Sequence, residues 1–495
     1  MTGCVALLGL YASRPISPSS AAASTVAGEA NVHPDVPVTP VDVQTALGHN
    51  SPALAVDPTD RRFMVVAARI DAPTYSCDLQ VSGDSGLTWV GARPVPRLPA
   101  GADRCYAPEV GFDRTGRLFY LFMGLHTQAN TPMGAFLTSS TDRGRHFSAP
   151  RQVIGGHPFG VSMAIDTGFG PHGRIHLAWI MASADPAGVG FPSPPNPVVS
   201  SHSDDGGRSF SPPVPASDPG RSLAAAPTVV VGSNHSVHVA YYDLGDDQRD
   251  YKGLEGPAFD GVWSLMVASS FDGGDHYELQ TVAEPGVVPP GRVLLVLTMP
   301  PAALASGPGG QLYLAWHDAR NGDWDVFLRR SGDQGRSWGP ALRVNDDPVH
   351  DGRTQYLPKV SVAPGGRVDV VYYDRRNDPA DVFNDVLYTW SDDGGHTFSP
   401  GRHLNRQPFD SRVGAHYPIP YFTPGMVESG GRLGLISADD RAFAAWTDTR
   451  MYFGTLTPQE NVGPAAQEIY AAEVDFAPVP RSGRSGSPSA AERTS

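Results

Sequence analysis

Apolar runs of six or seven residues recur along this chain: Phe63 to Arg69, Leu118 to Met123, Arg174 to Ile180, Val237 to Asp243, Leu312 to Asp318, Val368 to Asp374 and Ala442 to Asp448. A shorter apolar segment and a Gly or Asp turn precede each run. Several entries carry a proline, as in Asn50-Ser51-Pro52, Tyr106-Ala107-Pro108, Met299-Pro300-Pro301 and Tyr356-Leu357-Pro358. Short apolar runs bounded by turn residues predict buried strands. Seven such units are expected, and Glu468 to Val474 extends the last with a further strand.

A second pattern follows six of the seven units. Ser331-Gly332-Asp333-Gln334-Gly335-Arg336-Ser337-Trp338 reads S-x-D-x-G-x-x-aromatic, and close copies centre on Asp84, Asp142, Asp205, Asp272 and Asp393. The steps between the six aspartates are 58, 63, 67, 61 and 60 residues, which marks a repeat architecture. Asp accepts hydrogen bonds from backbone N–H groups just ahead of it and folds a tight turn. Gly supplies a conformation closed to other residues. The aromatic residue is expected to tuck under the turn and pin it to its sheet.

This motif resembles the Asp-box (BNR) repeat of sialidases and other β-propellers, over residues 36 to 476. The resemblance implies an all-β fold, a single propeller. Seven units favour seven blades, with the sialidases' six as the alternative. Val36 to Val43 is strand-like and is expected to supply the missing outer strand of the seventh blade, closing the ring and hiding two sheet edges. Residues 1–35 are expected to be a signal-like and flexible lead-in, and 478–495 a disordered tail rich in Ser, Gly, Arg and Pro.

In a propeller with the Asp box between the third and fourth strands, the other connections emerge on the opposite face, where ligands tend to bind. Cys77 and Cys105 both map to that face, on adjacent blades. A disulfide between them is expected, which fits an oxidising compartment; two free thiols in the cytosol is the alternative.

Composition narrows the function. The 55 glycines and 48 prolines make up about a fifth of the 495 residues, too many for a helical protein. A net charge of −14 with no basic block argues against nucleic acid. Residues 4 to 12 resemble the apolar core of a signal peptide, followed by small residues at Ala21 to Ala23 and Ala27, so secretion or a place in the cell envelope is expected. No run is long enough to span a bilayer.

The candidate chemistry lies in three successive units. Asp318, Arg320 and Asp325 are repeated as Asp374, Arg376 and Asp385, and again as Asp448, Arg450 and Glu468. Arginine grips a carboxylate through two parallel hydrogen bonds, so a cleft lined this way suits an acidic sugar. Asp318, Arg320 and Asp325 are the candidate catalytic residues. Arg376, Asp385, Arg450, Glu468, Arg353, Tyr356 and Tyr106 are the candidate ligand-binding residues, and His416 and Tyr417 fall near the same face. The alternative is structural: each Asp and Arg ties a connection to its own blade. Sialidases use a tyrosine nucleophile and arginines on the substrate carboxylate, the first of them in an Arg-Ile-Pro motif. This chain keeps the proline at that point in several units but never the arginine. No metal-ligand spacing or phosphate loop is present, so no metal or cofactor is expected. Two functions follow: a secreted sialidase-like exo-glycosidase acting on glycans, or a non-catalytic propeller binding polysaccharide or protein on the same face. They differ in one observable. An enzyme needs two acids, or an acid and a tyrosine, facing each other across a cleft. A binding module would have its acids and arginines paired off within each blade.

Overall fold

The computed structural model describes residues 29–40, 47–71, 74–92, 97–127, 131–170, 173–181, 195–221, 223–247, 259–289, 301–410, 430–451 and 467–477. The apolar run at 4–12, the tail 478–495, His416 and Tyr417 lie outside them. Every regular element among the described residues is a β-strand, and the strands form seven antiparallel sheets. The first six blades each take four strands, A to D, in chain order, and Phe409–Asp410 adds a fifth beside strand C of blade 6. The apolar runs are the B strands, at Met64–Ile70, Leu118–Leu125, Arg174–Met181, Val237–Asp243, Leu312–Asp318, Val368–Asp374 and Arg441–Asp448. All seven are buried along their whole length or all but one terminal residue because each B strand has a sheet neighbour on both sides and a blade against both faces.

Among the described residues seven separate apolar clusters form, and each lies between two adjacent blades. One of them joins blade 7 to blade 1 through Phe443, Ala445 and Ile469 against Met64, Val66 and Ala68. Seven clusters for seven blades means a closed ring, so the six-bladed alternative is excluded. Blade 7 is closed from the N-terminal side. Ala30–Val32 and Val36–Pro37 both pair antiparallel with Glu468–Phe476. The closing strand therefore starts earlier than Val36, inside the segment expected to be a flexible lead-in. Val38 and Thr39 follow it into the interior, where the Thr39 hydroxyl donates to Glu468 at 2.5 Å.

All six S-x-D-x-G turns join strands C and D. In each, the Ser hydroxyl donates to the first carboxylate oxygen of the Asp, at 2.7 to 2.9 Å, and accepts the Gly N–H. The Gly has φ of +82° at Gly207, and a Cβ there would lie 2.4 Å from the Leu137 side chain of the preceding blade. Glycine is thus required twice, by conformation and by close approach. The aromatic residue does more than pin its own turn, as the Trp89 indole does by donating to the Gly86 carbonyl at 3.0 Å. It reaches back to the preceding blade: Trp338 donates to Thr281 at 3.1 Å, Tyr277 donates to Ser200 at 2.9 Å, and Trp89 packs on Phe443. The turns are therefore seams between blades.

Hydrogen bonds to the turn aspartates outweigh their partial burial and hold Asp205, Asp272 and Asp393 down at about 2. A folded-state pKa below the unfolded one contributes stability that is complete above about pH 4 and lost as pH falls toward 2. The expected result is a melting temperature that drops between pH 4 and 2. In a variant carrying Asp205→Asn, Asp272→Asn and Asp393→Asn the drop should be shallower over that window.

Candidate functional site

The ends of strands B and C carry the three acid–arginine sets, on the face opposite the turns. Register places the two acids of each set directly across from one another: Asp318 opposite Asp325, Asp374 opposite Asp385, and Asp448 opposite Glu468. These are the positions from which a two-carboxylate site could be built, but the acids are already committed. Asp318 is fully buried and accepts from Arg320 Nη2 at 2.5 Å and from the Trp316 indole at 2.9 Å. Asp325 accepts from Arg343 at 2.5 Å, Asn321 at 2.5 Å and Asn345 at 2.7 Å. Arg320 keeps a second acid, Glu284 of blade 4, at 3.6 Å.

Blades 6 and 7 repeat the arrangement. Arg376 pairs with Asp374 at 2.7 Å and with Asp346. Arg450 pairs with Asp448 and with Asp35, each at 2.5 Å. Burial raises the pKa of both Asp374 and Asp448 against the pull of their arginines. Asp385 goes the other way: burial opposes it, but hydrogen bonds from His403, Asn377 and Asn405 hold its carboxyl below the ordinary range. Glu468 is buried between Thr39 and His49, with the imidazole 3.1 Å away.

The remaining candidates separate. Tyr356 is a core residue, its ring 5.2 Å from Tyr373 and its hydroxyl on Asn384 at 2.9 Å. Arg353 is half-buried and forms no ion pair among the described residues. Its guanidinium donates only to the Pro379 carbonyl, at 3.0 Å. Tyr106 lines the central channel, where its hydroxyl accepts from Arg69 at 2.6 Å. Burial pushes its phenol far above the ordinary tyrosine range, the opposite of what a nucleophile needs. Cys77 and Cys105 are disulfide-bonded beside it, with Cα atoms 5.5 Å apart.

The channel itself is a cavity of about 360 Å³ bounded by the A strands. Its charged lining residues are Arg69, Glu109, Lys359 and Arg432. Arg432 leaves blade 7 and reaches the Ser51 carbonyl of blade 1 at 3.1 Å and the Glu109 carboxylate of blade 2. Sequence reasoning passed over Glu109, Lys359 and Arg432. The signal for two of them was present, since Glu109 and Lys359 directly follow the entry prolines Pro108 and Pro358.

No protein-family model matches the chain, and no curated protein matches it. Among solved structures, a Hadza microbial sialidase aligns at 14% identity over 84% of this chain and 74% of its own, with a TM-score of 0.45. An ulvan lyase aligns at 12% identity over 88% and 95%, TM-score 0.47. An α-L-arabinofuranosidase from Fusarium graminearum aligns at 12% identity over 90% and 98%, TM-score 0.44. Likeness at this level carries no argument about activity.

Proposed function

We propose that the protein is a secreted propeller that binds an anionic glycan on the face opposite the S-x-D-x-G turns and does not hydrolyse it. The observation that carries this reading is the pairing of the candidate catalytic groups. Arg320 is held by Asp318, Arg343 by Asp325, Arg376 by Asp374 and Arg450 by Asp448, all within single blades. Among the described residues of those sets, none leaves an acid facing an arginine across a gap. Arg353, on the same face of blade 6, is the candidate with donors to spare. A guanidinium whose one hydrogen bond goes to a neutral carbonyl, with Asp378 acting on it only through space, suits a glycan carboxylate or sulfate, which it can bind through two parallel hydrogen bonds. The Asp-box resemblance supports the glycan class, and the disulfide fits export.

The test is a screen of neutral and acidic glycans for binding, and for release of reducing sugar or sialic acid. Binding to acidic glycans with no release is expected, and Arg353→Ala should weaken it about tenfold, the order of one charge-assisted contact. Turnover lost on Arg320→Ala with Asp325→Ala, in a folded variant, would instead establish the hydrolase.

A further inference from the structure

The inner strands of blades 1, 2, 3, 4 and 6 break register in the same way. The breaks fall between Asn50 and Ala53, Tyr106 and Glu109, Phe159 and Ser162, Ala225 and Thr228, and Tyr356 and Lys359. Each contains one left-handed residue: Ser51 at φ +54°, Ala107 at +47°, Gly160 at +57°, Ala226 at +48° and Leu357 at +55°. For the non-glycine residues this conformation costs roughly 1–3 kcal/mol apiece. A bulge repeated in five blades makes the residue that resumes pairing equivalent around the ring. Those residues are Ala53, Glu109, Ser162, Thr228 and Lys359, and all five line the channel. They form one level inside it, polar in four of the five blades.

With Arg432 reaching in beside Glu109 and Lys359, two cations meet one anion. Glu109 is taken by Arg432. Ser162 and Thr228 are satisfied by backbone, the Val229 N–H at 3.1 Å and the Ala302 carbonyl at 3.1 Å. Lys359 makes no hydrogen bond or ion pair among the described residues, and the Glu109 carboxylate that attracts it is shared with Arg432. Lys359 is half-buried, and desolvation together with the nearby Arg432 draws its ammonium below the ordinary lysine range. Apolar residues of the inner strands, Leu54, Val110, Met163, Val230, Leu304 and Leu435, also line the channel. That wall suits hydrocarbon and offers nothing to sugar hydroxyls.

We propose that the channel is a second ligand site, distinct from the glycan face, that takes an amphiphilic carboxylate: an aliphatic chain lies along the apolar wall and its single carboxylate sits on Lys359. An anion there supplies the missing counter-ion, and an apolar body displaces water from a wall that cannot hydrogen-bond it.

The test is titration calorimetry of the full chain with octanoate, octan-1-ol and glucuronate. Octanoate should bind, octan-1-ol at least tenfold more weakly, and glucuronate not measurably. Lys359→Met should weaken octanoate at least tenfold and leave octan-1-ol unchanged, while Lys359→Arg retains octanoate binding. Equal affinities for octanoate and octan-1-ol, an unaffected Lys359→Met variant, or no octanoate binding at millimolar concentration would each overturn the proposal. So would Lys359-dependent binding of glucuronate, which would make the channel part of a glycan site. Acidic-glycan binding by Lys359→Met separates the two readings: retained, it leaves the glycan face standing whatever becomes of the channel.

Discussion

Replacing Asp35 with alanine should destabilise the protein by about 3–5 kcal/mol, the usual cost of removing one partner from a buried ion pair. Asp35 is fully buried, and it receives Arg450 of blade 7 at 2.5 Å and Arg406 from the end of blade 6. It sits just before Val36–Pro37, so one carboxylate fastens the closing segment to two blades. Arg450 is itself nearly buried, at 7% side-chain exposure, and would be left with Asp448 alone. Arg406 is 62% exposed, so Arg406→Ala should cost no more than about 1 kcal/mol, as surface pairs do. Urea denaturation of the two variants distinguishes the mechanisms. A large loss for Asp35→Ala beside a small one for Arg406→Ala places the closure in the buried Asp35–Arg450 pair. Equal small losses would mean that the ring is held shut by strand pairing and by Val38 in the blade 7–blade 1 cluster.

The repeats made the fold legible because they reflect constraints that are local. A turn that needs Ser, Asp and Gly at fixed spacing prints that spacing on the chain, and a strand buried on both faces prints an unbroken apolar run. Blade closure was half legible. The strand character of Val36 was visible, but the pairing of Ala30–Val32 was not, because its partner, Val474 to Phe476, lies more than 440 residues away. The candidate site was less legible for a related reason. Asp318, Arg320 and Asp325 carry the residue types of a glycosidase, and the same types in the same order make a self-contained structural clasp. Only the partners decide between these. Arg343 and Asn345, which hold Asp325, lie beyond the S-x-D-x-G turn, in strand D and just after it. Lys359 was hidden differently. The proline before it was noticed as a strand entry, but its meaning depends on the left-handed Leu357 and on four matching bulges in other blades. No window on a single repeat contains that information.

Removing the Cys77–Cys105 disulfide should cost about 3.5 kcal/mol if its effect is the loop entropy of the unfolded chain, given the separation of 28 residues. The bridge also has a local consequence that the entropy does not describe. Cys77 lies opposite Arg69 in the register of blade 1, and Cys105 precedes Tyr106 in the inner strand of blade 2. The Arg69–Tyr106 hydrogen bond at 2.6 Å crosses the same gap between the blades. The disulfide and the hydrogen bond are thus two fastenings of one seam at the channel rim, and Arg69 is further fixed by Asp71 at 2.7 Å. In a Cys77→Ser, Cys105→Ser variant the hydrogen bond carries more of that rim, above the apolar cluster between the two blades. Arg69→Met should therefore be more damaging in the reduced background than in the oxidised one, because residues sharing a structural unit do not add independently. A double-mutant cycle read by denaturation checks this. A coupling energy of 0.5 kcal/mol or more makes the bridge part of the channel's architecture. Strict additivity would confine it to an entropic staple with no bearing on the site.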